Sequence, residues 1–158
     1  MNALPRPLIQ TLEMLAATAE ALELRNDWIV FGGAAMALSG LTDQPVPDID
    51  ILTSEETAND LIEAFGGRIV TPTTEDRFRS RLLARIDGTP VPIEIMVGLE
   101  VKTDDGWTPV AFRTRVDRPV QDRHIPTART SEQALMARRF GRPKDLLRAE
   151  ALDKLTDR

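Results

Sequence analysis

Two aspartates one residue apart, Asp48 and Asp50, sit in the stretch PDIDILT. Aspartate is disfavoured inside strands, yet Ile49, Ile51 and Leu52 around it read as one. Side chains alternate along a strand, so both carboxylates point one way and both isoleucines the other. Two residues of rise separate the carboxylates by roughly 6.6 Å. PIEIMV repeats the design, with Glu94 between Ile93 and Ile95. If the two strands are neighbours, three carboxylates converge without an evident basic partner, a crowding that a cation resolves. Oxygen-only donors suit Mg²⁺ or Mn²⁺ rather than zinc. Two such ions about 3.5–4 Å apart clamp the attacking and leaving oxygens of a phosphoryl displacement.

Upstream, the apolar run DWIVF ends in Gly32 and Gly33, followed by the small helix formers of GAAMALSG. Bare backbone N–H groups at the start of a short helix can cradle a phosphate. On these residues alone two plainer roles stay open: a turn at Asp48 after Pro47, and a simple strand end at the glycines. The order of the motifs favours one site, with backbone for phosphate and carboxylates for metal.

The elements that must position these residues follow from periodicity. Residues 7–25 place Leu8, Leu12, Leu15, Ala19 and Leu22 at three- and four-residue spacing, which predicts an amphipathic helix. DWIVF predicts a buried strand, GAAMALSG a short helix, and DIDILT a second strand after Pro45 and Pro47. Cap chemistry at Thr53 and Ser54 predicts a helix over SEETANDLIEAF. GGRIVTP reads as a strand, and FRSRLLARIDGTPVPIEIMVG as two strands around a hairpin turn at Asp87-Gly88. DDGW reads as a turn and WTPVAFRTRV as one more strand. A capping box at Thr130 and Gln133 starts a helix over TSEQALMARRF. Gly141 then punctuates the chain, and Pro143 opens a last helix, PKDLLRAEALDKL. This order predicts an α/β (α+β) fold with a mixed sheet of four to five strands flanked by helices.

At 158 residues the chain is long enough for one domain with a proper core, and no apolar run approaches the roughly 20 residues of a membrane helix. There is no cysteine, which excludes disulfides and thiolate metal sites. MNALPRPLIQ lacks the layout of a signal peptide, so a cytoplasmic protein with no membrane partner is expected. Residues 113–148 hold ten basic and four acidic residues, a balance of +6 that leaves −11 for the rest of a chain of net charge −5. Such a segment can attract a triphosphate or RNA, or form a solvated helix face. Four further arginines, Arg77, Arg79, Arg81 and Arg85, would share one face if they lay in a single strand, either near the cleft or as a guarded edge. His124 is the only histidine and reads as a loop or strand-edge residue. Trp28, in an apolar strand, reads as core, while Trp107 could stack on a base.

Taken together, strand, Gly-Gly, short helix, paired aspartates and a later strand acid resemble the nucleotidyltransferase (polymerase-β-like) superfamily. GGAAMALSGL before DIDIL is most similar to the small bacterial branch that includes abortive-infection-type toxins and lincosamide-modifying enzymes. The tail RTSEQALMARRFGRPKDLLRAEAL resembles the helical segment that follows the catalytic sheet there. The resemblance covers roughly residues 28–152 and implies one nucleotidyltransferase-like domain over 1–158, with 129–158 as a helical segment packed on it. It implies metal ligation by Asp48, Asp50 and Glu94, with Glu94 also the candidate general base. It implies triphosphate binding by Gly32 and Gly33, with Arg142 and Lys144 as further phosphate or ribose contacts. The implied reaction moves a nucleoside monophosphate from an NTP, as its Mg²⁺ (or Mn²⁺) complex, to a hydroxyl on RNA, protein or a small molecule. A toxin-like role, with a protein partner or antitoxin, is a further implication. Two other readings predict different behaviour. A catalytically inactive relative would bind nucleotide, RNA or a protein partner without needing the aspartates, and a carboxylate-based hydrolase would work in EDTA.

Overall fold

The computed structural model describes residues 3–24, 26–71 and 77–155. The first helix, α1 (Arg6–Ala21), buries Leu8, Leu12, Leu15, Ala16 and Ala19 along one stripe. After β1 (Trp28–Phe31) the chain turns into α2 (Gly32–Leu38), then returns through a proline-bearing loop to β2 (Ile49–Thr53). Next comes α3 (Glu55–Phe65), whose start is capped by Ser54 Oγ accepting the Thr57 N–H at 3.3 Å. Strands β3 (Arg68–Ile69), β4 (Phe78–Arg79), β5 (Leu82–Ile86) and β6 (Ile93–Val97) follow, then β7 (Glu100–Thr103) and β8 (Gly106–Pro109). A hairpin of β9 (Val116–Val120) and β10 (Arg123–Thr127) leads into α4 (Thr130–Phe140) and α5 (Pro143–Asp153).

A five-stranded mixed sheet in the order β1-β2-β6-β5-β3 organises the molecule. Only β2 and β6 run parallel; the other pairings are antiparallel. One face turns Val30, Ile49, Ile51, Ala84, Ile86, Ile93 and Ile95 onto α1 and α3, where they pack with Leu8, Leu12, Leu15, Ala58 and Leu61. The opposite face carries Phe31, Leu52 and Met96, which join Leu99, Val101, Val110, Met136 and Phe140 in a second cluster. Helices α4 and α5 pack on each other and on α2 through Met36, Leu41, Ala134, Ala137, Ala149 and Leu152. Among the described residues, no helix is long and apolar enough to cross a membrane.

The expected mixed sheet is present, but several local readings are corrected. The expected hairpin around Asp87-Gly88 is present as the antiparallel pair β5–β6, its connection running over residues 87–92, where the Val91 N–H donates to Thr11 Oγ1 on α1 at 2.9 Å. WTPVAFRTRV is not one strand. Pro109 ends β8, and the Glu132 carboxylate then takes the N–H groups of Arg113 and Thr114 at 2.7 and 2.9 Å, so neither can join a ladder. Burial would raise the Glu132 carboxyl, but these N–H groups and the Thr114 hydroxyl outweigh it and hold it below the usual range. The capping box expected at Thr130 and Gln133 does not form: Arg129 is the N-cap, and Gln133 Nε2 instead donates to Ser39 Oγ at 2.8 Å and Ala128 O at 2.9 Å. One helix later the Asp145 carboxylate instead caps the start of α5, accepting the Arg142 N–H at 3.2 Å. The four spaced arginines do not share a face either, since Arg79 lies in β4 and Arg85 in β5, which belong to different sheets.

Candidate active site

Strands β2 and β6 lie side by side in parallel, and their register sets Asp50 opposite Glu94. Asp48 stands just before β2 but keeps the alternation: Ile49 and Ile51 are fully buried, while Asp48 and Asp50 stay partly accessible on the other face. The entry to β2 is fixed by the Ile49 N–H, which donates to Pro92 O at 2.9 Å. Asp48, Asp50 and Glu94 thereby each offer an oxygen, all within 4.8 Å of one another.

Gly32 explains why this strand end cannot carry a side chain. Its φ is +68°, and a Cβ there would stand 2.9 Å from Asp50 Oδ2. The glycine is thus a condition for Asp50 to occupy its place as well as a source of bare backbone. Gly33 meets no such demand, with Arg148 Nη2 at 3.9 Å from a built Cβ.

A cleft of about 340 Å³ opens above the carboxylates, with Arg142, Lys144 and Arg148 from the last helix on its wall. Arg142 is held firmly: Nε and Nη2 donate to the two oxygens of buried Asp145 at 2.6 and 3.0 Å, and its guanidinium lies 5.0 Å from the Phe78 ring centroid. Arg148 Nε donates to Gln44 Oε1 at 2.9 Å. Lys144 forms no ion pair among the described residues.

The expectation that the carboxylates lack a basic partner holds for two of the three. Arg85 Nη1 donates to Glu94 Oε1 at 2.8 Å while its Nε engages Asp87 at 2.7 Å. Among the described residues, no hydrogen bond or ion pair engages Asp48 or Asp50. Burial, then the charge of Asp48, then that of Glu94 push the Asp50 carboxyl up to about 8, against the weaker pull of Arg142 and Arg148. Three hard oxygen donors crowded together, one of them raised by burial and by its neighbours' charge, are a set that a divalent cation fits.

Other candidates fall outside the cleft. His124 is exposed on β10, Trp28 is buried in β1, and Trp107 supports Arg79, whose guanidinium lies 4.4 Å from its ring centroid. Much of the basic 113–148 segment is consumed internally. Arg118 is buried on Thr127 and Ala128, Arg123 pairs with Glu20, and Arg138 pairs with Asp153. Sequence reasoning missed Arg85 as the partner of Glu94 and Arg148 as a cleft residue. The four-residue spacing of Lys144 and Arg148 on one helix was the available signal for the second.

No protein-family model matches the chain, and no curated protein matches it in sequence. Solved structures do match. A candidate nucleotidyltransferase from Thermotoga maritima is 24% identical and superposes with a TM-score of 0.69 over 97% of this chain and 95% of its own. The lincosamide antibiotic adenylyltransferase LnuA, solved with lincomycin, is 16% identical with a TM-score of 0.62, over 98% and 100% of the two chains. The antibiotic-resistance factor ANT(2'')-Ia is 15% identical with a TM-score of 0.59, over 91% and 80%. The chain has the fold of nucleotidyltransferases.

Proposed function

We propose that the protein is a metal-dependent nucleotidyltransferase that moves a nucleoside monophosphate from an NTP to an acceptor hydroxyl. The observation that carries this reading is the parallel register of β2 and β6. It gathers Asp48, Asp50 and Glu94 under a cleft walled by Arg142, Lys144 and Arg148. Asp48, Asp50 and Glu94 would hold Mg²⁺, or Mn²⁺, which when bound neutralises phosphate charge and polarises the reacting oxygens. Gly32 and Gly33 present backbone to the triphosphate, and Arg142, fixed by Asp145, and Lys144 oppose its charge. The acceptor oxygen forms a bond to the α-phosphorus as the bond to the bridging oxygen breaks, and pyrophosphate leaves with that electron pair. Glu94 receives the hydroxyl proton. Most of the acceleration comes from positioning and charge stabilisation. The adenylyl transfer named for LnuA and ANT(2'')-Ia favours ATP as donor.

The test is titration of each NTP with Mg²⁺ or with EDTA into the wild type and an Asp48→Asn/Asp50→Asn variant, read by calorimetry. Binding that needs metal and drops by about 10²-fold or more in the variant supports the reading. Binding that is indifferent to both metal and aspartates supports a non-catalytic nucleotide-binding protein instead.

A further inference from the structure

The carboxylate cleft continues sideways into a larger groove of about 890 Å³, and Arg79, Ser80 and Leu99 line both. The floor of the groove begins with Leu52, two residues beyond Asp50 on the same face of β2 and so roughly 6.6 Å along the strand. Leu99, Val110 and Phe112 extend that floor, with Phe112 packed on Phe31 at 6.1 Å between ring centroids. A groove of this size is in the range that holds small ligands, about 300–1,000 Å³.

Its charges are unequal in number and in availability. Four arginines, 79, 81, 113 and 115, face two acids, Asp27 and Glu100. Arg79 pairs with Glu100 at 2.8 Å, and Arg115 Nη1 donates to Trp28 O at 2.6 Å. The Asp27 carboxylate accepts the Ser54 and Thr57 hydroxyls at 2.6 and 2.7 Å. Among the described residues, Arg81 and Arg113 form no ion pair, and both are exposed. Two exposed guanidiniums lining a groove whose apolar floor begins two residues beyond Asp50 suit an oxyanion.

We propose that this groove is the acceptor subsite and that the acceptor is a small hydroxyl-bearing molecule with a phosphate or carboxylate group, which Arg81 and Arg113 bind. The proposal rests on the transferase reading and names the substrate class of the same site. A polycationic acceptor would meet an excess of like charge here, four arginines against two acids. A nucleic-acid chain would need a continued track of free cations, whereas Arg118, Arg123 and Arg138 nearby in sequence are already paired or buried.

The experiment incubates the full chain with Mg²⁺, the four α-³²P-labelled NTPs and a protein-free, RNA-free metabolite extract split by ion exchange into anionic, neutral and cationic pools. Total RNA is a separate arm. Label is expected in the anionic pool, and Arg81→Ala/Arg113→Ala lowers it about tenfold or more, whereas Arg81→Lys/Arg113→Lys retains most of it. Mg–NTP affinity changes by less than about twofold in both variants, because neither arginine lines the carboxylate cleft. Phosphatase treatment of the pool beforehand abolishes labelling of a phosphate acceptor and spares a carboxylate one. Label confined to the neutral or cationic pool or to RNA overturns the proposal. So does anionic-pool labelling indifferent to the arginines, or no labelling while Mg–NTP still binds. Failure of the wild type to bind Mg–NTP overturns the transferase reading itself, and this proposal with it.

Discussion

The two faces of β2 and β6 make opposite use of the same backbone. On one face Ile49, Ile51, Ile93 and Ile95 are wholly buried against α1 and α3; on the other Asp48, Asp50 and Glu94 crowd their oxygens within 4.8 Å. The first face releases apolar surface from water and holds the strands in register. The second imposes like-charge repulsion and partial desolvation on them. A strand alternates every residue, so the packed apolar side chains and the crowded carboxylates are separated by a single peptide unit. The isoleucine face holds the acidic face together.

The comparison breaks most visibly at its apolar side. Ile51→Ala removes a fully buried side chain immediately after Asp50 and is expected to lower stability by about 2–5 kcal/mol in urea unfolding. Metal-dependent NTP binding should persist in the fraction that remains folded. Loss of binding in a fully folded Ile51→Ala variant would mean that the faces are not separable.

Gly32→Ala tests the joint between β1 and the acidic face. A Cβ 2.9 Å from Asp50 Oδ2, at φ +68°, must strain the backbone or displace the carboxylate, at a cost of about 1–3 kcal/mol. Gly33→Ala, with 3.9 Å to its nearest neighbour, should lose distinctly less in the same thermal melts. Equal losses would remove the steric role assigned to Gly32.

A pH series sharpens the electrostatic side. The Asp50 carboxyl has an ordinary value of 3.8 and is raised to about 8 in the fold. Between those values the unfolded chain has released this proton and the folded chain still holds it. The folded state therefore binds more protons, and metal-free stability falls as pH rises from about 4 to about 8, by at most about 1.4 kcal/mol per pH unit from this group. Asp50→Asn should flatten that slope in EDTA and be more stable than the wild type near pH 8. A slope unchanged in Asp50→Asn would show that Asp50 does not carry the repulsion.

Parts of this arrangement were legible because they are local. The alternation around Asp48, Asp50 and Glu94 is written in their isoleucine neighbours. The stripe of α1, the Ser54 cap and the Pro143 start of α5 depend on residues within a turn of one another. What failed depended on distant partners. Glu132 removes the ladder donors of Arg113 and Thr114 from 19 and 18 positions away in sequence, and Gln133 leaves its expected capping role for Ser39, 94 positions away. The Arg85 partner of Glu94 becomes visible only once the β5–β6 pairing sets them opposite each other.

By itself, then, the sequence determined which side chains face together on each strand, because a pleated backbone alternates whatever lies beside it. Only the tertiary structure decided that β2 and β6 are neighbours with Asp50 opposite Glu94, that Gly32 stands against Asp50, and that Arg81 and Arg113 stay open while other arginines are consumed. Strand adjacency and register are set by how the two apolar faces pack, over separations that no local pattern records.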